Sequence, residues 1–346
     1  MGTVWFCLVA LMLTVYVVLD GFDLGAGIVH LFIAQNENQR QTVLRTIGPV
    51  WDGNEVWLIA AGGTLYFAFP ALYAASFSGF YLPLMMVLWL LILRGISIEF
   101  RRHAAATMWA PFWGGVFFLA SFLLAVFYGA ALGNVIRGVP LDAQGEFFEA
   151  LWTTFRPNGT TGILDWYTIL EGVAALLALA VHGALWVALK TEDVLRARAQ
   201  RFAVTLWLPL ALFTVLVTWT SFKLQPHLYA SYAARPWEWI FPLLAVAGLF
   251  GIIVFLRSDA KAFYASCMYL AGMLASAASG LYPDVLPAST NPAFSLTAEN
   301  AKAANHGLAI GLAWWIVGII LTTIYFIAVY QRFRGKVSTS PEEEGY

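Results

Sequence analysis

Apolar residues come in long runs along this chain, and the polar residues between them gather in short clusters. A bilayer core of about 30 Å takes about twenty apolar residues in a helix. Nine runs reach that length, at roughly 3–33, 50–70, 74–100, 111–134, 162–189, 202–222, 238–256, 262–282 and 306–330. Pro and Gly punctuate the joints, among them Pro70, Gly138, Pro157, Pro226, Pro236 and Pro283. No strand pattern survives at this density of long apolar runs. In hydrocarbon the backbone has no water to bond, so each run satisfies its own N–H and C=O groups as a helix. The pattern predicts an all-α integral membrane protein of about nine transmembrane helices. These group as two four-helix bundles plus one extra helix: 1–134 carries the polar motifs, 135–161 is an outside loop, and 162–282 is the second bundle. An outside loop and the ninth helix fill 283–331, and a cytoplasmic tail follows at 332–346, its end Ser338–Tyr346 polar and expected to be disordered.

Composition agrees. The chain is 60% hydrophobic and only 11% charged, against about 25% charged in soluble domains. A net charge of -1 offers no basic field for nucleic acid. Cys7 and Cys267 lie in apolar runs without CxxC or Cys/His spacing, so no metal site is expected. The first run lacks a basic leader and an A-x-A cleavage site and reads as a retained helix.

Lys and Arg in the loops set the orientation. Alternating the nine runs puts 13 of them on one side and 5 on the other, with Arg94 inside a run. The expectation is an N-terminus outside and a C-terminus in the cytoplasm.

Ionisable residues inside apolar runs are rare and mark function. Asp20 and Asp23 lie three apart in the cytoplasmic half of the first run, hence on one helix face. Asp52 and Glu55 lie three apart at the cytoplasmic start of the second, and Arg94 and Glu99 near the cytoplasmic end of the third. Six groups from three helices thus share one depth, with carboxylates in excess. One reading is a proton path entering from the cytoplasm. The other is structural, with Asp52 or Asn54 capping the second span and ion pairs formed by Arg94. Glu99, followed by Arg101 and Arg102, reads as an interfacial charge. Gly21, Gly25 and Gly27 would let a neighbouring helix come close. Glu171 stands alone in the outer half of the fifth run. Of the five histidines, only His30 and His182 fall at a common depth compatible with bis-histidine haem; a packed neutral histidine is the simpler reading. Trp109, Trp113, Trp152, Trp166, Trp237 and Trp239 fall near predicted interfaces, as an aromatic belt does.

The motifs Asp20-Gly21-Phe22-Asp23-Leu24-Gly25 and Trp51-Asp52-Gly53-Asn54-Glu55-Val56-Trp57-Leu58 carry a family resemblance. So do Ala61-Gly62-Gly63, Phe69-Pro70, Tyr73-Ala74, Ser76 to Tyr81, and Arg94 with Glu99 and Arg101 behind it. Together they resemble subunit II of the cytochrome bd-type quinol oxidases, including the cyanide-insensitive relatives, most strongly over the first hundred residues. The resemblance implies a subunit of a quinol oxidase complex that reduces O2 to water in a prokaryotic cytoplasmic membrane. It implies that haems b and d and the quinol loop belong to a partner, subunit I, and that a small accessory single-helix subunit joins some complexes. It gives the aspartate at Asp52 a part in a proton path at the subunit interface, with Asp23 a polar position nearby. Some relatives hold a structural quinone in this subunit. The competing expectations are a stand-alone proton-coupled transporter and a haem b electron carrier built on His30 and His182.

Overall fold

The computed structural model describes residues 1–103, 109–157 and 159–337, the side chains of 102 and 103 excepted. The expected disorder of Ser338–Tyr346 lies outside the described residues. The order is α1 (Gly2–Ile33), α2 (Glu37–Ile47), α3 (Trp51–Ala68), α4 (Pro70–Gly79), α5 (Tyr81–His103), α6 (Trp109–Arg137), α7 (Trp166–Lys190), α8 (Asp193–Leu224), α9 (Pro226–Ala234), α10 (Ile240–Val254), α11 (Asp259–Leu281) and α12 (Asn305–Arg332). Among the described residues eight helices are long and apolar enough to cross a membrane, or nine when α3 and α4 count as one bent span. The helical membrane architecture is as the apolar runs predict.

Three details depart from those runs. The second and third are divided differently. Phe69 leaves the helical conformation (φ -133°, ψ 66°) and Pro70 opens α4. Proline brings no N–H to continue the ladder of α3, and α4 departs at 119°. The run 74–100 is therefore not one helix: its first turns belong to α4, and α5 starts at Tyr81. Pro70 marks the first break in sequence, but apolarity continues past Gly79, so the pattern does not display the second. Second, the connection 34–49 holds α2, whose N-cap Asn36 accepts from the Gln39 backbone N–H and whose Val43, Leu44 and Ile47 are buried. Third, strands do occur: β1 (Asp284–Leu286) pairs antiparallel with β2 (Leu296–Thr297) in the polar segment before α12.

The core is organised around the second half of α1. At about 1.5 Å per residue its 32 residues span about 48 Å, longer than a bilayer core. Every residue from Asp20 to His30 is buried, enclosed by α3, α6, α7 and α11. A glycine crossing allows this density. A Cβ on Gly25 would stand 2.1 Å from the Leu179 carbonyl oxygen of α7, and one on Gly183 would stand 2.2 Å from Gly25. Small residues at such crossings let backbones meet, the main source of helix attraction in lipid. α12 is the opposite case. Its most apolar stretch is not buried by the rest of the chain, and it touches the bundle through residues such as Trp315, Phe326 and Tyr330.

Candidate functional site

The buried stretch of α1 carries two aspartates into the protein interior, and each meets a different helix. Asp20 and Asp23 are both 0% exposed, as are Arg94 and Asn54. The Arg94 guanidinium of α5 donates in bidentate fashion to Asp20, Nη1 reaching Oδ2 at 2.7 Å and Nη2 reaching Oδ1. Paired charges of this geometry replace the lost hydration of both partners. Asn54 of α3 donates from Nδ2 to Asp23 Oδ2 (2.8 Å) and to the Leu19 carbonyl (3.3 Å). Its own Oδ1 accepts from the Tyr330 hydroxyl of α12 at 2.8 Å. Four helices, α1, α3, α5 and α12, thus converge on one polar knot.

The knot is not saturated. Asp23 Oδ1 and Arg94 Nε have no hydrogen-bond partner. Beside it, Tyr16, one turn before Asp20, donates its hydroxyl to Tyr128 of α6 at 2.8 Å.

Glu55 and Asp52 sit differently. Asn54 faces inward on α3, so Asp52 turns outward and is exposed, while Glu55 is half-buried. Glu55 lies within electrostatic reach of Arg94, Asp20 and Asp52. The expectation that Asp52 or Asn54 caps the second span does not hold. Val50 is the N-cap of α3 and no side chain caps it, because Asn54 is committed to Asp23. Glu99 is half-buried towards the end of α5. The common depth assigned to the six groups therefore resolves into a buried knot of Asp20, Asp23 and Arg94, with Glu55 and then Asp52 leading to its surface.

Asn54, Tyr330, Tyr16 and Tyr128 belong to the site although only Asn54 drew notice in sequence, and as a cap. Tyr16 precedes Asp20 by four, a same-face spacing that points to it. Nothing local points to Tyr330, which is 276 residues from its partner.

The two histidines at similar depth serve packing. His182 Nε2 donates to the Val18 carbonyl (2.9 Å), and Nδ1 shares a hydrogen bond with Ser266 Oγ (2.7 Å). Its ring stacks on Phe263. His30 Nδ1 donates to the Gly27 carbonyl at 2.7 Å. With both nitrogens of His182 engaged, the pair does not fit bis-histidine ligation of a haem. His103's side chain lies outside the described residues. Glu171 is not alone: it accepts from Ser221 Oγ (3.1 Å), which in turn bonds the Tyr167 hydroxyl (2.8 Å). It stands between two largely apolar cavities of about 120 and 180 Å³. Among the described residues no group of three or more His, Cys, Asp or Glu has a metal-binding arrangement.

A second arginine knot closes the opposite pole. Arg137, at the end of α6, donates to Asp165, to Glu149 (2.9 Å), to Asn134 (2.8 Å) and to the carbonyls of Gly138 and Gly162. Asp165 caps α7 by accepting from Tyr167 and Thr168. The long loop between α6 and α7 is thereby fastened to both helices.

Fold and site define a class: a multi-pass helical membrane protein with an ionisable knot inside the bundle. The sequence profile of "Cytochrome bd terminal oxidase subunit II" matches residues 1–333. The "Probable cytochrome oxidase subunit 2" of Haemophilus influenzae is 31% identical, over 97% of this chain and 95% of that protein. The "Cytochrome bd-I ubiquinol oxidase subunit 2" of Escherichia coli K12 is 29% identical, over 97% and 94%. The "Cytochrome bd ubiquinol oxidase subunit 2" of Bacillus subtilis is 31% identical, over 88% of each. A chain of the solved bd oxidase from Geobacillus thermodenitrificans shares the fold at a TM-score of 0.71, with 18% identity over 96% of this chain and 98% of that one.

The chain belongs to the cytochrome bd terminal oxidase subunit II family. It is a multi-pass protein of the prokaryotic cytoplasmic membrane and one subunit of an oxidoreductase complex, which implies a haem-bearing assembly and a partner subunit I. The transporter expectation is thereby replaced.

Proposed function

We propose that this chain supports the catalytic subunit of a quinol oxidase and admits protons to it along Asp52, Glu55 and Asp23. The observation that carries the reading is the outward stripe of α3. Asp52, Val56, Ile59, Gly63 and Tyr66, spaced four and three apart, all face out from this chain, with Ile59 72% exposed. A carboxylate at the head of such a stripe is poorly placed against lipid. Its neighbour is therefore protein and water, and we assign the stripe to the interface with subunit I. From there, Glu55 lies on the same helix face one turn on, and behind it stands Asp23 with its unpartnered oxygen. Carboxylates in that order pass protons when water reaches them.

The curated relatives are named ubiquinol oxidase subunits, which supports quinol as the reductant. The haems, b and d in our reading, reside in subunit I and supply the electron transfer and oxygen reduction. Reduction of O2 to water consumes protons, and the Arg- and Lys-rich pole, where Asp52 lies, is the one we take to be cytoplasmic. That places the N-terminus outside and the C-terminus inside. A structural quinone in this chain would find apolar walls in a cavity of about 260 Å³ between α1, α4, α6 and α11, where Thr14 and Ser76 supply hydroxyls. A single-helix accessory subunit and lipid would share the remaining apolar flanks.

The test is Asp52→Asn in the whole complex. Quinol-dependent oxygen uptake falls on the order of tenfold or more, while subunit I still co-purifies in wild-type yield. Wild-type turnover in a fully assembled variant would remove the role.

A further inference from the structure

A cavity of about 240 Å³ opens at the arginine-rich pole, between the start of α3, the end of α7 and the end of α12. Five cationic side chains line it: Arg45, Lys190, Arg332, Arg334 and Lys336. Among the described residues no carboxylate does. The positive charge is held in place by the backbone. Lys190 Nζ lies over the Trp186 ring at 5.1 Å from its centre and donates to the Phe333 carbonyl at 2.6 Å. Lys336 Nζ donates to the Thr191 carbonyl at 2.9 Å, and the Val337 N–H donates to the Lys190 carbonyl at 2.8 Å. These bonds draw the segment after α12 back onto the end of α7, so Arg332 and Arg334, both exposed, stand at the mouth of the cavity.

Basic residues at helix ends complement the exposed carbonyls there, and Lys190 and Lys336 do so. That accounts for the two lysines and leaves three guanidinium groups. Among the described residues Arg45, Arg332 and Arg334 have no acidic partner, whereas Arg94, Arg101, Arg137, Arg196 and Arg235 each have one. Three planar donors around one concavity, without a counter-charge among the described residues, match the oxygens of a phosphate group. Trp186 and Tyr330 add an aromatic wall of the kind that sits at headgroup level.

We propose that this cavity is a phosphate-binding site, with the phosphate supplied by an anionic phospholipid headgroup or by a soluble phosphate. A headgroup fits the position at the end of three membrane helices, where basic pockets meet lipid phosphates. The site shares Tyr330 with the buried knot, but its cationic groups lie outside the Asp52, Glu55 and Asp23 path.

The experiment uses the assembled complex, delipidated in detergent. Phosphatidylglycerol, phosphatidylcholine and inorganic phosphate are each titrated while bound lipid is counted by native mass spectrometry and thermal unfolding is followed. Wild type is compared with the double variant Arg332→Gln/Arg334→Gln, with Lys336→Gln as a milder second variant, and with Arg257→Gln as an exposed control outside the cavity. Retention of phosphatidylglycerol that falls on the order of tenfold in the double variant, but not in Arg257→Gln, establishes a lipid phosphate site. A rise in unfolding midpoint with inorganic phosphate that disappears in the same variant, without lipid retention, establishes a soluble phosphate site. Should the double variant fail to assemble, Lys336→Gln takes its place with a smaller expected loss. Equal retention and equal phosphate response in wild type and cavity variants overturn the proposal.

Discussion

The two arginine knots use the same ingredients and do different work. The partners of Arg137 all lie within 28 residues of it, and two of its acceptors are backbone carbonyls. That knot is local in sequence and fastens a loop. Arg94 reaches Asp20 across 74 residues, Asn54 reaches Asp23 across 31, and Tyr330 reaches Asn54 across 276. Those links run between helices and, Leu19 apart, between side chains. They gather more carboxylates than one guanidinium neutralises. The contrast teaches that a buried ion pair does not by itself mark a functional site. The informative features are the distance in sequence from which it is built and the oxygen left without a partner.

The comparison can be broken first at Arg94. Arg94→Leu leaves Asp20 buried and unpaired, at a cost of about 3–5 kcal/mol. The yield of assembled complex should collapse, and the double change Asp20→Leu/Arg94→Leu should restore much of it. Normal yield from the single variant would show that the pair is not held as described. Next comes Arg137→Gln. It leaves two buried carboxylates, Glu149 and Asp165, without their cation and should destabilise by on the order of 2 kcal/mol, read as a lower thermal midpoint with quinol-dependent turnover per assembled complex unchanged. A turnover defect there would erase the distinction between the knots. Tyr330→Phe removes one hydrogen bond to Asn54, about 1 kcal/mol; a midpoint equal to that of wild type would separate α12 from the knot.

The smallest expected effect is a pH dependence at Glu149. Burial holds its carboxyl above the ordinary Glu value, with Arg137 pulling back. The folded loop then keeps the proton that the unfolded chain gives up. The associated stability is present at low pH and is lost as pH rises from the ordinary Glu range through the folded value. Glu149→Gln should flatten that part of the midpoint-against-pH curve. An unchanged difference between the two curves across the acid range would show that Glu149 is not the group responsible.

Much of this was legible in the chain. Run lengths gave the membrane helices. The Asp20/Asp23 spacing and Gly25 marked the crowded half of α1, because three- and four-residue spacings fix faces regardless of context. Which face of α3 turns inward was not legible. That helix is apolar on all sides, so Asp52 and Asn54 looked equally available, and the motif drew attention to the one that faces out. Pro70 marked the end of that helix, while the break between α4 and α5 was hidden by continuous apolarity. The partner of Arg94 and the contribution of Tyr330 are properties of tertiary packing, which no local pattern encodes.

The hydrogen bond from Tyr330 to Asn54 also has a consequence in time. A chain made from its N-terminus has α1, α3 and α5 in the membrane long before α12 emerges. Asp23 and Asn54 can meet early, but the Asn54 carbonyl oxygen waits for a tyrosine made 276 residues later. A product that stops before α12 therefore displays an unfilled acceptor inside the membrane. α12 thus closes, late in synthesis, a knot that α1 and α3 begin.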